Sequence, residues 1–287
     1  MTVESVLVVG ATGQQGGAVA DRLLSGDHGE FDVHALSRSP ESDACQTLAG
    51  RGATIVGGNL DDKDSFRSAV EDVDAVFCVT QFFVGGYEGE IEHGTNIAEV
   101  ADDVGVEQFV FSSVGGAERD TDIPHFDSKY EVEKRIRELD LPATIIRPVF
   151  FMQNLEDQRE DIMDGTLALP LAEDVPLQMV DVDDIGALAG EALADPDRYI
   201  GEEIELAGDE LTLEAMADTF GRAMNTDVDA QHVPTDVTRE QMGEEYAVMF
   251  EWFNEHGYEA DIEELRNEHD IEIVDFEAYL TKNGWTE

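Results

Sequence analysis

Hydrophobic positions in the first half of the chain come in two alternating textures. Short, nearly unbroken apolar runs at residues 5–9, 31–36, 53–56, 75–79, 109–111 and 143–146 predict strands buried on both faces. Between them, residues 18–24, 64–70, 91–104 and 131–139 carry apolar positions at helical spacing. Strict alternation of strand and helix predicts an α/β fold of the Rossmann type, a doubly wound parallel sheet with helices on both faces. Its ligands are expected at the carboxyl ends of the strands. After Pro148 the alternation breaks down into aromatic and Met-rich segments, a short extended piece at 203–206 and a helical pattern near 212–224. The reading is a nucleotide-binding domain over 1–150 and a smaller C-terminal α/β substrate or partner lobe over 151–287, sharing a core with it. No internal repeat or Gly/Ser hinge separates the two.

Charge changes this picture more than composition does. The chain has 287 residues, 42% hydrophobic, with 66 Asp and Glu against 17 Lys and Arg, a formal charge of -49. The acids do not form a tail but punctuate helical patterns, as at Asp61-Asp62, Asp102-Asp103 and Glu263-Glu264. That distribution predicts a solvated acidic shell, self-repelling in dilute buffer and relieved where salt shortens the Debye length to about 3 Å near 1 M. A halophilic protein of a high-salt cytosol is the expectation. Direct nucleic-acid binding is excluded, because it needs clustered cations to neutralise phosphates. No charged leader precedes an apolar run and no stretch is long and apolar enough to span a bilayer, so a cytoplasmic, non-membrane protein is expected. Cys45 and Cys78 are too few for a metal cluster or a disulfide framework and read as reduced, packed thiols; no metal is expected.

Candidate chemistry begins at the first strand's tip. Gly10-Ala-Thr12-Gly13-Gln14-Gln15-Gly16 follows that strand and opens the first helix. Glycine allows a tight turn and close approach of backbone to pyrophosphate, and a helix N-terminus offers free N–H groups and partial positive charge. The spacing is G-x-x-G-x-x-G in the strand, turn, helix context that nucleotide binding requires. The end of the second strand chooses the dinucleotide: an acid there suits NAD, an arginine the 2'-phosphate of NADP. This chain reads Ser37-Arg38, with no acid between Asp32 and Glu41, so NADP(H) is expected over NAD(H).

In these pieces the sequence resembles the NmrA-like family, a branch of atypical short-chain dehydrogenases and reductases. The resemblance rests on Val8 to Gly16, Ser37-Arg38, Phe109-Val-Phe-Ser112-Ser113, Asp127-Ser-Lys129, Arg147-Pro148 with Phe151 and Asn154, and Val180-Asp-Val-Asp-Asp-Ile-Gly186. Pro124-His-Phe-Asp-Ser-Lys129 is most similar to the NADP(H)-sensing members. It implies that Thr80 and Gln81 line the cofactor, that Ser112 or Ser113 sits near the nicotinamide, and that Pro148, Phe151 and Asn154 border the nicotinamide and substrate space.

The chain departs from the wider group at catalysis. Short-chain dehydrogenases use Tyr-x-x-x-Lys, because residues four apart share a helix face and the ammonium assists proton transfer from the phenol. Lys129 is present, but four residues earlier stands His125, and Tyr130 points about 100° around the helix from the lysine. Lys129 is the candidate for the nicotinamide ribose and His125 for a proton donor. Two functions stand: an NADP(H)-binding sensor with little dehydrogenase activity, acting through a protein partner, or an NADPH-dependent reductase of a small quinone-like or conjugated substrate. Monomer and dimer stay open, as does the role of Trp252-Phe253 and Tyr279 to Trp285 in packing the lobe or forming an interface.

Overall fold

The computed structural model describes residues 2–286. They divide into two compact units, one of residues 2–120, 124–147 and 185–204, the other of 121–123, 148–184 and 205–286.

In the first unit the chain runs β1 (Ser5–Val9), α1 (Gln14–Ser25), β2 (Asp32–Ser37), α2 (Asp43–Gly50), β3 (Thr54–Gly57), α3 (Lys63–Glu71), β4 (Ala75–Val79), α4 (Phe82–Val104), β5 (Gln108–Ser112), α5 (Pro124–Glu138) and β6 (Ala143–Pro148). These six strands are parallel and ordered β3-β2-β1-β4-β5-β6. That is the dinucleotide-binding order, with its reversal point between β1 and β4. Every residue of β4 and of β5 is buried, which is why both read as continuous apolar runs. One core cluster holds Leu7, Val76, Phe109 and Phe111 from the strands with Phe66, Ile97, Val132 and Ile136 from the helices.

Two helices begin earlier than their periodicity predicts. α5 starts at Pro124, whose ring suits a helix's first turn, so His125 and Lys129 lie on one helix and share a face. α4 starts at Phe82 and breaks at Gly86, which holds φ 65° and ψ -166°. α2, opened by a Ser42 cap on the Cys45 N–H, falls in a stretch read only as polar.

The second unit opens with β7 (Phe150–Phe151), a 3-10 segment (Met152–Gln158), α6 (Arg159–Met163), β8 (Thr166–Leu169) and β9 (Pro176–Val180). α7 (Val182–Ala194) and α8 (Pro196–Tyr199) then return the chain to the first unit, whose sheet β10 (Glu203–Leu206) extends beside β6. β11 (Asp209–Thr212), α9 (Leu213–Met224), β12 (Asp229–His232), α10 (Thr235–Met242), α11 (Glu244–Glu255), α12 (Ile262–Glu268) and α13 (Phe276–Lys282) complete the chain. Small sheets β11-β9-β7 and β12-β8 carry an aromatic core in which Phe250 lies 5.3 Å from Phe253 and Phe220 lies 4.7 Å from Trp285. Trp252, Phe253, Tyr279 and Trp285 are all buried, so these aromatics pack the unit. Met152 and Met179 are core as well, whereas Met163 is exposed.

Candidate functional site

The carboxyl ends of β1, β2 and β4 enclose a groove of about 340 Å³, lined by Gly10 and Thr12, by Ser37 and Arg38, and by Thr80 and Gln81. Its floor is a turn that other residues fit poorly. Gly10 holds φ +82°, and a Cβ on it would stand 2.7 Å from the Val79 side chain. A Cβ on Gly16 would meet the Gly10 carbonyl oxygen at 2.3 Å, so the first turn of α1 lies directly on the loop. Gly13 differs: the nearest atoms to its missing Cβ are 3.4 Å and 3.5 Å away, the second being the Gln81 amide nitrogen. Packing therefore accounts for Gly10 and Gly16, while Gly13 stands at the N-cap of α1 without any side-chain cap. The first N–H groups of that helix are the feature a pyrophosphate would use.

Arg38 stands exposed at the end of β2. Among the described residues it makes no hydrogen bond or ion pair, whereas the other basic side chains each contact a carboxylate or, for Arg266, the Gly208 carbonyl. Ser37 accepts a hydrogen bond from the Ser39 N–H and turns the chain beside it. Residues missed by sequence reasoning complete the wall: Ser42, Ala44, Asn59, Leu60, Val84 and His93. A signal for part of this lay in Gly57-Gly58-Asn59, a turn placed at a third strand's carboxyl end. His93 bonds the Asp61 carboxylate at 2.7 Å; hydrogen bonds from His93 and then Asn59 hold that carboxyl below its ordinary range.

Deeper in the unit, Lys129 is 8% exposed and enclosed. Its ammonium donates to Glu90 Oε1 at 2.9 Å, to Thr80 Oγ1 at 3.2 Å and to the Thr80 carbonyl at 3.3 Å. Glu90 is fully buried and also accepts from Thr80 Oγ1 at 2.8 Å and from the Ser128 hydroxyl. Burial works against its charge, but the Lys129 ammonium and the hydrogen bonds from Ser128, Lys129 and Thr80 outweigh it and hold the carboxyl below its usual range. Glu90 was not among the sequence candidates; a glutamate inside a long acidic helix carries no signal of burial.

The remaining candidates divide by unit. Gln15 accepts a 2.6 Å hydrogen bond from Ser112, tying the first helix to the end of β5. Ser113 beside it is buried with its hydroxyl unpartnered among the described residues. That orphan oxygen, the glycine cradle and the unpaired Arg38 fit a phosphorylated dinucleotide. Gln14 is exposed on the first turn of α1. His125 packs among rings, 4.8 Å from Phe126, 5.9 Å from Phe82 and 6.5 Å from Phe83, the last 88% exposed. Tyr130 lies under Lys134 at 4.6 Å and beside Arg137, away from the Lys129 enclosure. Pro148, Phe151 and Asn154 belong to the second unit, buried, half-buried and exposed respectively. Both cysteines are free and buried, and burial pushes the Cys78 thiol up to about 12. No group of metal-ligating side chains occurs among the described residues, and no described helix is long and apolar enough to cross a membrane.

The profile of the NmrA-like family matches residues 2–280. The chain belongs to the NmrA-like family. An NmrA-like family domain-containing protein of Dictyostelium discoideum is 30% identical over 300 residues, covering 97% of both chains. Among solved structures, this NmrA-like chain is similar to Citrobacter sp. triphenylmethane reductase complexed with NADP(H), with a TM-score of 0.83, 18% identity and coverage of 97% of this chain and 99% of that one. It is similar also to NmrA, a negative transcriptional regulator in complex with NADP, with a TM-score of 0.81, 20% identity and 99% coverage of each. At such identities the likeness establishes the fold, a Rossmann-type sheet shared by a reductase and a regulator.

Proposed function

We propose that this NmrA-like protein binds NADP(H) in the groove at the ends of β1, β2 and β4, in preference to NAD(H), and acts as a sensor of cofactor level or redox state. One observation carries the cofactor assignment: in a chain with 66 acids, Arg38 alone among the described arginines has neither carboxylate nor carbonyl partner, and it lines the groove. A guanidinium that makes no hydrogen bond or ion pair amid such an excess of acid, and feels Asp61 only through space, is a site for a dianionic phosphate. The NADP-bound state of two structural relatives supports the same reading.

Sensing rather than dehydrogenation follows from the proton chemistry. No tyrosine precedes Lys129 at the required spacing, Tyr130 is turned to Lys134, and the three donors of Lys129 are taken by Thr80 and Glu90. A reductase remains the second reading, favoured by the exposed aromatic edge of Phe83 and Tyr87 near Val84 of the groove and by the dye-reducing relative. The dihydronicotinamide, when bound, supplies the hydride; the protein need only orient it and keep water out. Phe151 and Asn154 are proposed to border the substrate, and His125 to donate a proton.

Incubating the protein with NADPH, quinones, enones and triphenylmethane dyes in concentrated KCl separates the readings. The sensor reading expects no loss of NADPH absorbance and a cofactor-dependent change in oligomeric state or partner binding; turnover abolished by His125→Ala establishes the reductase. The acidic shell extends the proposal to a cytoplasm rich in salt: helicity followed by circular dichroism is expected to fall as KCl is withdrawn, and a signal unchanged in dilute buffer contradicts it.

A further inference from the structure

Among the described residues, Glu90 is the carboxylate hydrogen-bonded both to Thr80 of the groove wall and to the Lys129 ammonium. It is fully buried, where an ionised side chain costs several kcal/mol unless its partners repay it. Its two oxygens are shared out: Oε1 takes Lys129 and Thr80, and Oε2 takes Ser128. Three elements thus meet at one residue, the end of β4 through Thr80, α5 through Ser128 and Lys129, and α4 through Glu90 itself. Thr80 lines the cofactor groove. An apolar side chain in the same space would leave the buried Lys129 ammonium without a counter-charge, so the carboxylate serves something besides packing.

We propose that Glu90 is a positioning residue for the dinucleotide site, holding the Lys129 ammonium and the Thr80 hydroxyl at the groove's inner wall. This inference rests on the NADP(H) reading above. The lengths of the contacts indicate how the arrangement works. The 2.9 Å pair to Glu90 is the anchor, and the 3.2 Å and 3.3 Å contacts to Thr80 are those a ribose hydroxyl would replace without freeing the lysine. Glu90 acts through Lys129 and Thr80, at a distance from the Arg38 end of the groove. Its loss should therefore weaken NADPH and NADH alike and leave the preference between them intact.

The chain's four lysines provide a direct readout, since Lys63, Lys134 and Lys282 serve as internal standards for Lys129 in the same sample. In Glu90→Gln, brief acylation with an amine-reactive ester, read by peptide mass spectrometry, is expected to label Lys129 about tenfold faster than in the parent, with the other three unchanged. The dissociation constants for NADPH and NADH are expected to rise together by about tenfold. Glu90→Asp, which keeps the charge on a shorter stem, should show both effects in smaller measure, and it decides the matter if the glutamine variant does not fold. Lys129 labelling and cofactor affinity at parental values in a folded variant would overturn the proposal, as would labelling that rises equally at all four lysines in Glu90→Asp. A parent protein that binds neither dinucleotide instead sinks the NADP(H) reading itself, and that result is visible before any variant is made.

Discussion

Arg38 and Arg147 lie in one unit of the same acid-rich chain and live in opposite surroundings. Arg147, 7% exposed on β6, grips Glu133 through two bonds of 3.0 Å and 2.7 Å and reaches Glu203 at 2.6 Å. Arg137 closes the cluster, donating to Glu133 and Glu203 at 2.8 Å each. Burial opposes the charge of Arg147, but Glu133 and then Glu118 and Glu203 hold the guanidinium well above its ordinary range. Arg38, exposed at the end of β2, makes no hydrogen bond or ion pair among the described residues and feels Asp61 only through space. An arginine whose donors are all satisfied by its own chain is part of the fold; one whose donors are unsatisfied, at the rim of a groove, is free to recognise something else.

That contrast breaks most visibly at Arg147. Arg147→Ala strands a fully buried Glu133 with one cation fewer, and the expected loss in stability is about 3–5 kcal/mol, measurable by denaturant unfolding in concentrated KCl. The ratio of NADPH to NADH affinity in whatever fraction stays folded should not change. A stable variant with altered cofactor preference would mean that the two arginines had been assigned the wrong way round.

A buried acid with too little compensation sharpens the same point. Asp184 in the second unit is pushed up to about 8 by burial and by the Asp181 charge, against the pull of the Val274 N–H and Lys282. Between pH 3.8 and about 8 the folded chain therefore holds a proton here that the unfolded chain has released, so stability falls as pH rises through that window. The ceiling is about 1.4 kcal/mol per pH unit, and about 1–2 kcal/mol between pH 5 and 8 is expected once local relaxation is allowed. Asp184→Asn should flatten that part of the Tm profile. A parental slope in the variant would show that another group sets it.

How far the sequence foretold these sites depended on whether their signal was local. Residues 5–9 and 75–79 match β1 and β4 because a strand covered on both faces writes itself as an unbroken apolar run. Gly10, Gly16 and Arg38 were legible for the same reason, since turn chemistry and strand-end position are properties of neighbouring residues. Glu90 was not, because its partners Thr80, Ser128 and Lys129 lie up to 39 residues away and its own segment looks like any solvated acidic helix. The extended piece at 203–206 was recognised, yet its pairing beside β6 depends on contacts that alternation does not encode. The start of α4 escaped because Gly85 and Gly86 interrupt the helical pattern that its apolar spacing would have announced.

Arg38, which makes no hydrogen bond or ion pair among the described residues, is the residue to test first. Titrating the parent and Arg38→Ala with NADPH and NADH in concentrated KCl, with nicotinamide fluorescence as the signal, compares four affinities in one experiment. The parent should bind NADPH at least about tenfold tighter than NADH, and the substitution should remove that advantage while leaving NADH affinity close to its original value. Equal affinities in the parent, or a preference that survives the loss of Arg38, would contradict it.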